Sequence, residues 1–193
     1  MNLPLQLIMF SIPSLIYIAV HRRLGEKWSE IFGKIGWQGS RPIYFLWSVG
    51  AMIVVGGLGW LALKASPSEV LQDPNINISD YAGWTLSVPS FLLVWLREAI
   101  YIALGEEMFF RGLLGGWLVR RLGFASGNTV QALVFLLPHL LLLLVSLSLW
   151  PIIIVQLTAG WLLGWLRYRS NSILPGWLAH GLANAFGALA AMR

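Results

Sequence analysis

The stretch Gly-Glu-Glu-Met-Phe-Phe-Arg at residues 105–111 places two adjacent carboxylates and a guanidinium inside an otherwise apolar run. Charged groups at membrane depth cost roughly 2.5 to 3.5 kcal/mol each even on insertion scales, so they need partners or a function. On a helix Glu107 and Arg111 are four residues apart and share a face, which allows an ion pair. Glu106 is turned about 100° away from that pair and has no counter-ion in the local sequence. This asymmetry makes Glu106 the first candidate for chemistry.

The composition of the chain indicates an integral membrane protein. Of its 193 residues, 58% are hydrophobic and only 11% are charged, whereas a soluble domain carries about 25% charged residues. Several apolar runs approach the roughly 20 residues that a spanning helix needs. Cysteine is absent, which excludes disulfides, a thiolate metal site and a cysteine nucleophile. We therefore predict an all-α fold, a polytopic membrane helix bundle.

The apolar runs predict about six transmembrane helices in one integral membrane unit. Residues 1–90 would hold N-terminal spans and loops, and residues 91–193 the core spans that include the charged run. The third run is too long for one straight crossing, so Pro89 and the Arg97–Glu98 pair predict a break or a segment that enters along the interface. The predicted spans are Leu3–Val20, Ile43–Leu63, about Trp84–Trp117, about Thr129–Leu147, about Pro151–Leu166 and about Ile173–Met192.

The basic residues predict the orientation in the membrane. The loop 21–42 holds five Lys and Arg residues, the junction 111–121 holds three and the turn 167–169 holds two, out of thirteen in all. By the positive-inside rule this side is cytoplasmic, and six spans then put both termini on the opposite side. The net charge of +5 is thus a topology signal, and we expect no nucleic-acid partner.

Two of the three histidines, His139 and His180, fall inside predicted spans. His180 shares a helical face with Asn184, four residues later, and both histidines enter the membrane from the same side as Glu106. A glutamate, two histidines and an asparagine supply a base, a pair that orients water or binds metal, and an oxyanion donor. From these residues alone, a hydrolytic site is about as well supported as a structural polar cluster or a transport site.

Three spaced motifs resemble, in order, the signature motifs of the CPBP family, which are the CAAX prenyl proteases and bacteriocin-processing enzymes, also called the Abi domain. The resemblance covers about residues 95–190 and implies a CPBP/Abi-type core with intramembrane endopeptidase activity. The motifs that carry it are Glu106-Glu107-x-x-x-Arg111, Phe135-x-x-x-His139 and His180-x-x-x-Asn184.

The resemblance also implies a role for each motif residue. Glu106 would be the general base that activates a water, and Glu107 with Arg111 would brace the site. The remaining three residues would position the water and stabilise the oxyanion, namely His139, His180 and Asn184.

Zinc is the candidate cofactor. Glu106, His139 and His180 could form a site with two histidines and one glutamate, as in metallopeptidases, and the same groups could also work without metal. Pro138, directly before His139, departs from the family pattern and could kink the span and re-aim the histidine.

The leading hypothesis is an intramembrane endopeptidase that cleaves a membrane-associated peptide or protein near the cytoplasmic face of the lipid bilayer. The alternative is a non-catalytic CPBP-fold scaffold, or an assembly partner of a larger membrane complex, whose site is silent. The intact set of glutamate, histidines and asparagine favours the enzyme, because a scaffold has no need to bury these groups. A small-solute carrier would be expected to show an internal repeat or matched broken helices, which the sequence lacks.

Overall fold

The computed structural model describes residues 5–192, so the predicted span residues Leu3 and Pro4 lie outside the described part. Every regular element in that part is helical, which confirms the all-α prediction. The helices are α1 (Leu5–Arg23), α2 (Trp28–Ile35), α3 (Pro42–Ala65), α4 (Ser68–Leu71), α5 (Val88–Leu122), α6 (Phe124–His139), α7 (Leu142–Val145), α8 (Trp150–Ser170) and α9 (Leu174–Ala188), with short 3₁₀ turns at Asn77–Tyr81 and Leu147–Leu149.

Within residues 5–192, five helical segments are long and apolar enough to cross a membrane, which confirms a multi-pass membrane protein. The sixth predicted span, 173–192, contains only the 15 residues of α9, about 22 Å of helix at 1.5 Å per residue. That length is shorter than the hydrocarbon core of about 30 Å. Eight of the 15 residues of α9 are buried, so this short helix is largely enclosed by the protein. The five segments are Leu5–Arg23, Pro42–Ala65, Val88–Leu122, Phe124–Val145 and Leu147–Ser170.

Helix α5 is continuous from Val88 to Leu122, so the predicted break is wrong. Ser87 caps its start by accepting a hydrogen bond from Ser90 N at 3.2 Å, and Pro89 lies in the first turn, where proline is tolerated. The irregularity takes another form, because the helix contains two π-helical segments, Glu98–Ala103 and Glu107–Gly115. Such segments are rare and are frequently found at functional sites.

The Arg97–Glu98 pair anchors the loop before α5 instead of breaking the helix. Arg97 forms an ion pair with Asp80. The hydroxyl of Tyr81 and the amide of Asn77 both donate hydrogen bonds to Oε1 of Glu98, which is buried. Burial, with the Glu98 carboxylate nearby, raises the pKa of Tyr81 above its ordinary value, so the phenol remains a hydrogen-bond donor at neutral pH.

Neighbouring helices bind to the carbonyl groups of both π segments. Ser14 of α1 donates a hydrogen bond to Met108 O at 3.0 Å, and the indole of Trp177 in α9 donates to Ala99 O at 2.7 Å. A change in the helical repeat disturbs the regular backbone ladder, and side chains that insert there stabilise the distortion. The first span of the chain therefore packs directly against the helix that carries the two central glutamates.

Three glycines in the motif regions allow the helices to approach closely. A Cβ atom on Gly105 would lie 2.9 Å from Leu7 Cα, and one on Gly181 would lie 2.8 Å from Ala99 Cβ. A Cβ atom on Gly112 would lie 2.7 Å from the carbonyl oxygen of Ile35. Any side chain at these positions would push α1, α2 or α9 away from α5.

The loop after α2 fixes the start of α9. Gly36 ends α2 with φ of +71°, a conformation that favours glycine. Its carbonyl oxygen accepts a hydrogen bond from Ile173 N at 2.9 Å, and Gln38 O accepts one from Ser172 Oγ at 2.6 Å. These bonds set the position of α9, and with it the height of His180.

Candidate active site

The predicted pair of Glu107 and Arg111 is present at the centre of the protein. Glu107 Oε1 lies 3.1 Å from Arg111 Nη1, and both side chains are fully buried. The geometry is that of an ion pair and not of a directed hydrogen bond. Arg111 also donates to Ala159 O at 3.5 Å. Each of the two buried groups therefore has a group of opposite formal charge beside it.

His180 joins the two adjacent glutamates. Its Nδ1 lies 2.9 Å from Glu107 Oε1, within hydrogen-bond distance, and its Nε2 lies 3.7 Å from Glu106 Oε2. With Glu107 ionised, Nδ1–H donates to Oε1, and the neutral ring then presents Nε2 as an acceptor towards Glu106. Helix α9 lies close to Glu107 here, because a Cβ atom on Gly176 would lie only 3.2 Å from Glu107 Oε2.

Glu106 is buried but has only a loose partner. Its side chain is 7% exposed, and the 3.7 Å that separates Oε2 from His180 Nε2 exceeds a direct hydrogen bond. A water molecule at hydrogen-bond distance from both atoms fits such a separation. Oε1 of Glu107 is thus engaged by two partners, while its buried Oε2 has no hydrogen-bond partner among residues 5–192. Glu106 has only the looser contact with His180 and can accept a hydrogen bond from a water.

His139 is the last residue of α6, directly after Pro138. Its Nδ1–H donates a hydrogen bond to Phe135 O at 2.8 Å, which leaves Nε2 as the second functional atom of the ring. The ring is partly buried and packs against the ring of Phe135, with 4.6 Å between the two centroids. The closest contacts of His139 are therefore with Phe135 of its own helix.

Phe135 is a site residue to which the sequence reasoning assigned no role. The ring is completely buried, and its centroid lies 4.0 Å from Arg111 Cζ, 4.6 Å from the ring of His139 and 6.3 Å from the ring of His180. A cation over an aromatic face is stabilised most when it is desolvated. The spacing Phe135-x-x-x-His139, already part of the second motif, was the signal that could have identified it.

The six predicted site residues are thus brought together to different degrees. Glu106, Glu107, Arg111 and His180 form one contact chain. His139 joins this chain through the ring of Phe135. Asn184 lies one helical turn after His180 on α9 and is partly buried.

The predicted zinc ligands are Glu106, His139 and His180. Among residues 5–192, no three His, Asp or Glu side chains are arranged to share one metal ion. Both nitrogens of His180 face glutamates, and Nδ1 of His139 bonds to a backbone carbonyl. As placed, Glu106, His139 and His180 do not fit a three-ligand zinc site, and the zinc set stays a prediction.

Comparison with known proteins identifies one family. A family model described as "Type II CAAX prenyl endopeptidase Rce1-like" matches residues 88–186, which is just over half of the chain. The match begins at the first residue of α5 and includes all six predicted site residues. No curated protein and no solved structure matches the chain.

Proposed function

Because the chain belongs to the Rce1-like family of type II CAAX prenyl endopeptidases, we propose that it cleaves a membrane-associated peptide or protein with a water that Glu106 activates. The contact that carries this proposal is the 3.7 Å separation of Glu106 Oε2 from His180 Nε2. Two acceptors at this separation can each take one hydrogen of the same water. The oxygen lone pair of that water is then free to attack.

Glu106 would act as the general base. As the water oxygen forms a bond with the substrate carbonyl carbon, Glu106 takes one water proton and the carbonyl electrons move onto oxygen. Collapse of this intermediate breaks the C–N bond, and the proton on Glu106 passes to the departing amine. The products are a new carboxyl group and a new amino group, so no further reactant is required.

The oxyanion needs hydrogen-bond donors. Asn184 supplies a neutral amide donor one turn from His180. His139 can donate from Nε2 only as an imidazolium, because Nδ1 is already bonded to Phe135 O. We therefore propose Asn184 as the principal oxyanion donor and His139 as a second donor or a contact to the leaving group.

Glu107, Arg111 and Phe135 would position these groups without touching the substrate. Glu107 fixes the tautomer of His180, as a carboxylate behind a histidine does in other hydrolases. Arg111 is the counter-charge of Glu107, and the ring of Phe135 packs against the guanidinium group of Arg111. The supporting side chains are fully buried, which favours a site whose geometry is fixed before the substrate binds.

The family name supports a substrate with a C-terminal CAAX sequence and a prenyl group, and we propose that class for this chain. A prenylated C-terminus is held at the membrane surface. The ten basic residues on one side of the topology support the cytoplasmic face as the side of cleavage.

The test is cleavage of a prenylated CAAX peptide by the full-length protein in liposomes, with the products identified by mass spectrometry. Release of the C-terminal tripeptide is expected, and the same peptide without the prenyl group serves as the control for membrane presentation. If neither peptide is cleaved by protein that is folded and correctly inserted, the scaffold in a larger membrane complex becomes the better account.

A further inference from the structure

A partly open cavity lies among several basic residues of the bundle. Its volume is about 430 Å³ and it lies between α2, α5, α6 and α8, within the range of about 300 to 1,000 Å³ that is typical of ligand sites. Arg111 lines this cavity, but Glu106 and Glu107 do not. Its polar lining includes Lys34, Arg111, Arg120, Asn128, Gln131 and Arg167.

Two of these cations have no acidic partner among residues 5–192. Lys34 is paired with Glu26 at 2.6 Å, and Arg111 is paired with Glu107. Arg120 and Arg167 instead donate to the same backbone oxygen, Lys34 O, at 2.8 and 3.5 Å. Arg167 also donates to Asn171 Oδ1 at 3.2 Å and to Gly33 O at 3.4 Å. Two guanidinium groups are therefore held within reach of one atom, and each repels the other.

The cavity wall also holds buried polar atoms without a protein partner. Arg167 is only 8% exposed and its Nε has no hydrogen-bond partner within residues 5–192, while Gln131 is completely buried and neither atom of its amide has one. Buried donors without partners cost free energy. Glu30 also lines the cavity, but it is exposed and accepts a bond from Lys27 N at 3.4 Å.

This arrangement of donors suits a phosphate group. Phosphate offers several acceptor oxygens and binds guanidinium groups with paired hydrogen bonds. The cavity lies at the ends of α5 and α8, beside the exposed Tyr168, on the side that the basic residues predict to be cytoplasmic. Basic pockets between membrane helices on the cytoplasmic side bind anionic head groups. We propose that this cavity binds the phosphate group of an anionic lipid, independently of the peptidase activity.

The test is equilibrium binding of a fluorescent phosphatidic acid to the purified full chain in neutral detergent, with a phosphatidylcholine of the same acyl chains for comparison. Phosphatidic acid is expected to bind more tightly. Arg167→Gln and Gln131→Leu should each weaken its binding by about tenfold. Two control variants remove exposed charges close to the cavity, Arg169→Gln on the same helix as Arg167 and Arg121→Gln at the end of α5. Each should change the affinity by less than about twofold.

The other possible results of this binding experiment lead to different conclusions. Full competition by inorganic phosphate at a concentration near that of the lipid would show that the phosphate group alone accounts for binding and would overturn the assignment to a lipid, whereas competition only at large excess would support it. Equal weakening by all four variants would show general attraction to a basic surface and overturn the proposal, as would competition by a peptide carboxylate but not by phosphate. If Arg167→Gln does not fold, the uncharged change Gln131→Leu decides, because it removes the amide without altering the charge.

Discussion

Nδ1 of His180 lies 2.9 Å from Oε1 of Glu107, and this hydrogen bond ties the last helix of the protein to the longest one. This hydrogen bond also determines what Nε2, the other ring nitrogen of His180, can do. With Nδ1–H committed to Glu107, Nε2 faces Glu106 at 3.7 Å, and the two adjacent glutamates acquire different environments. The carboxylate of Glu107 orients the histidine, whereas the carboxylate of Glu106 makes only the looser contact with it.

The first prediction concerns Glu107. Glu107→Gln leaves Arg111 as a buried charge without its partner, so the free energy of unfolding should fall by about 3 to 5 kcal/mol. Unfolding in mixed micelles with increasing denaturing detergent measures this change. The matched control Glu106→Gln removes only a loose contact and should unfold close to the native protein. Equal stability of the two variants would contradict the division between a supporting and an acting glutamate.

The second prediction concerns the close packing of α9 on α5. Gly181→Ala places a Cβ atom 2.8 Å from Ala99 Cβ, so it should lower the free energy of unfolding by about 1 to 3 kcal/mol and reduce activity by displacing His180. Gly57→Ala in α3 is the control, because nothing lies within 4 Å of its added Cβ. The control should be neutral or stabilising by up to about 1 kcal/mol. A tolerated Gly181→Ala would show that α9 does not need this contact.

The ion pair at the centre of the protein could be predicted from the sequence, because a charge inside an apolar span needs a partner close to it. The spacing of Glu107 and Arg111 placed them on one face, and the structure shows that pair. The role of Phe135 could not be predicted in this way, since contact of one ring with Arg111 and both histidines depends on how three helices pack. The π segments of α5 were missed for a similar reason, because the partners of their carbonyl groups, Ser14 and Trp177, come from distant parts of the chain.

The third prediction concerns topology. Reporter fusions within residues 22–41 or at 167–170 should report the cytoplasm, and fusions within 65–80 or after Met192 the opposite side, because ten of the thirteen Lys and Arg residues fall on one side of the predicted topology. Protease protection in sealed vesicles gives an independent measurement. A cytoplasmic C-terminus would mean that both ends of α9 lie on the same side of the membrane. The cleavage site would then need another orientation.

The fourth prediction concerns zinc. Because the three candidate ligands are not arranged around one point, the purified protein should contain less than one equivalent of zinc per chain, and chelation should leave peptide cleavage unchanged. Elemental analysis of the native protein and of His139→Ala measures this directly. Stoichiometric zinc in the native protein that is lost in His139→Ala would instead establish the predicted metal set, with rotation of the histidine rings on binding.

The central claim is that Glu106 activates the water that cleaves the peptide, and the most direct measurement is the rate of peptide cleavage by Glu106→Gln in liposomes. Glutamine keeps the size of the side chain but cannot take a proton, so the rate should fall by about 10²- to 10⁴-fold while helical content and unfolding stay native. The double variant Glu106→Gln with His180→Ala should be no slower than the slower single variant, because both groups hold one water. A folded Glu106→Gln protein that cleaves within about tenfold of the native rate would contradict the proposed mechanism.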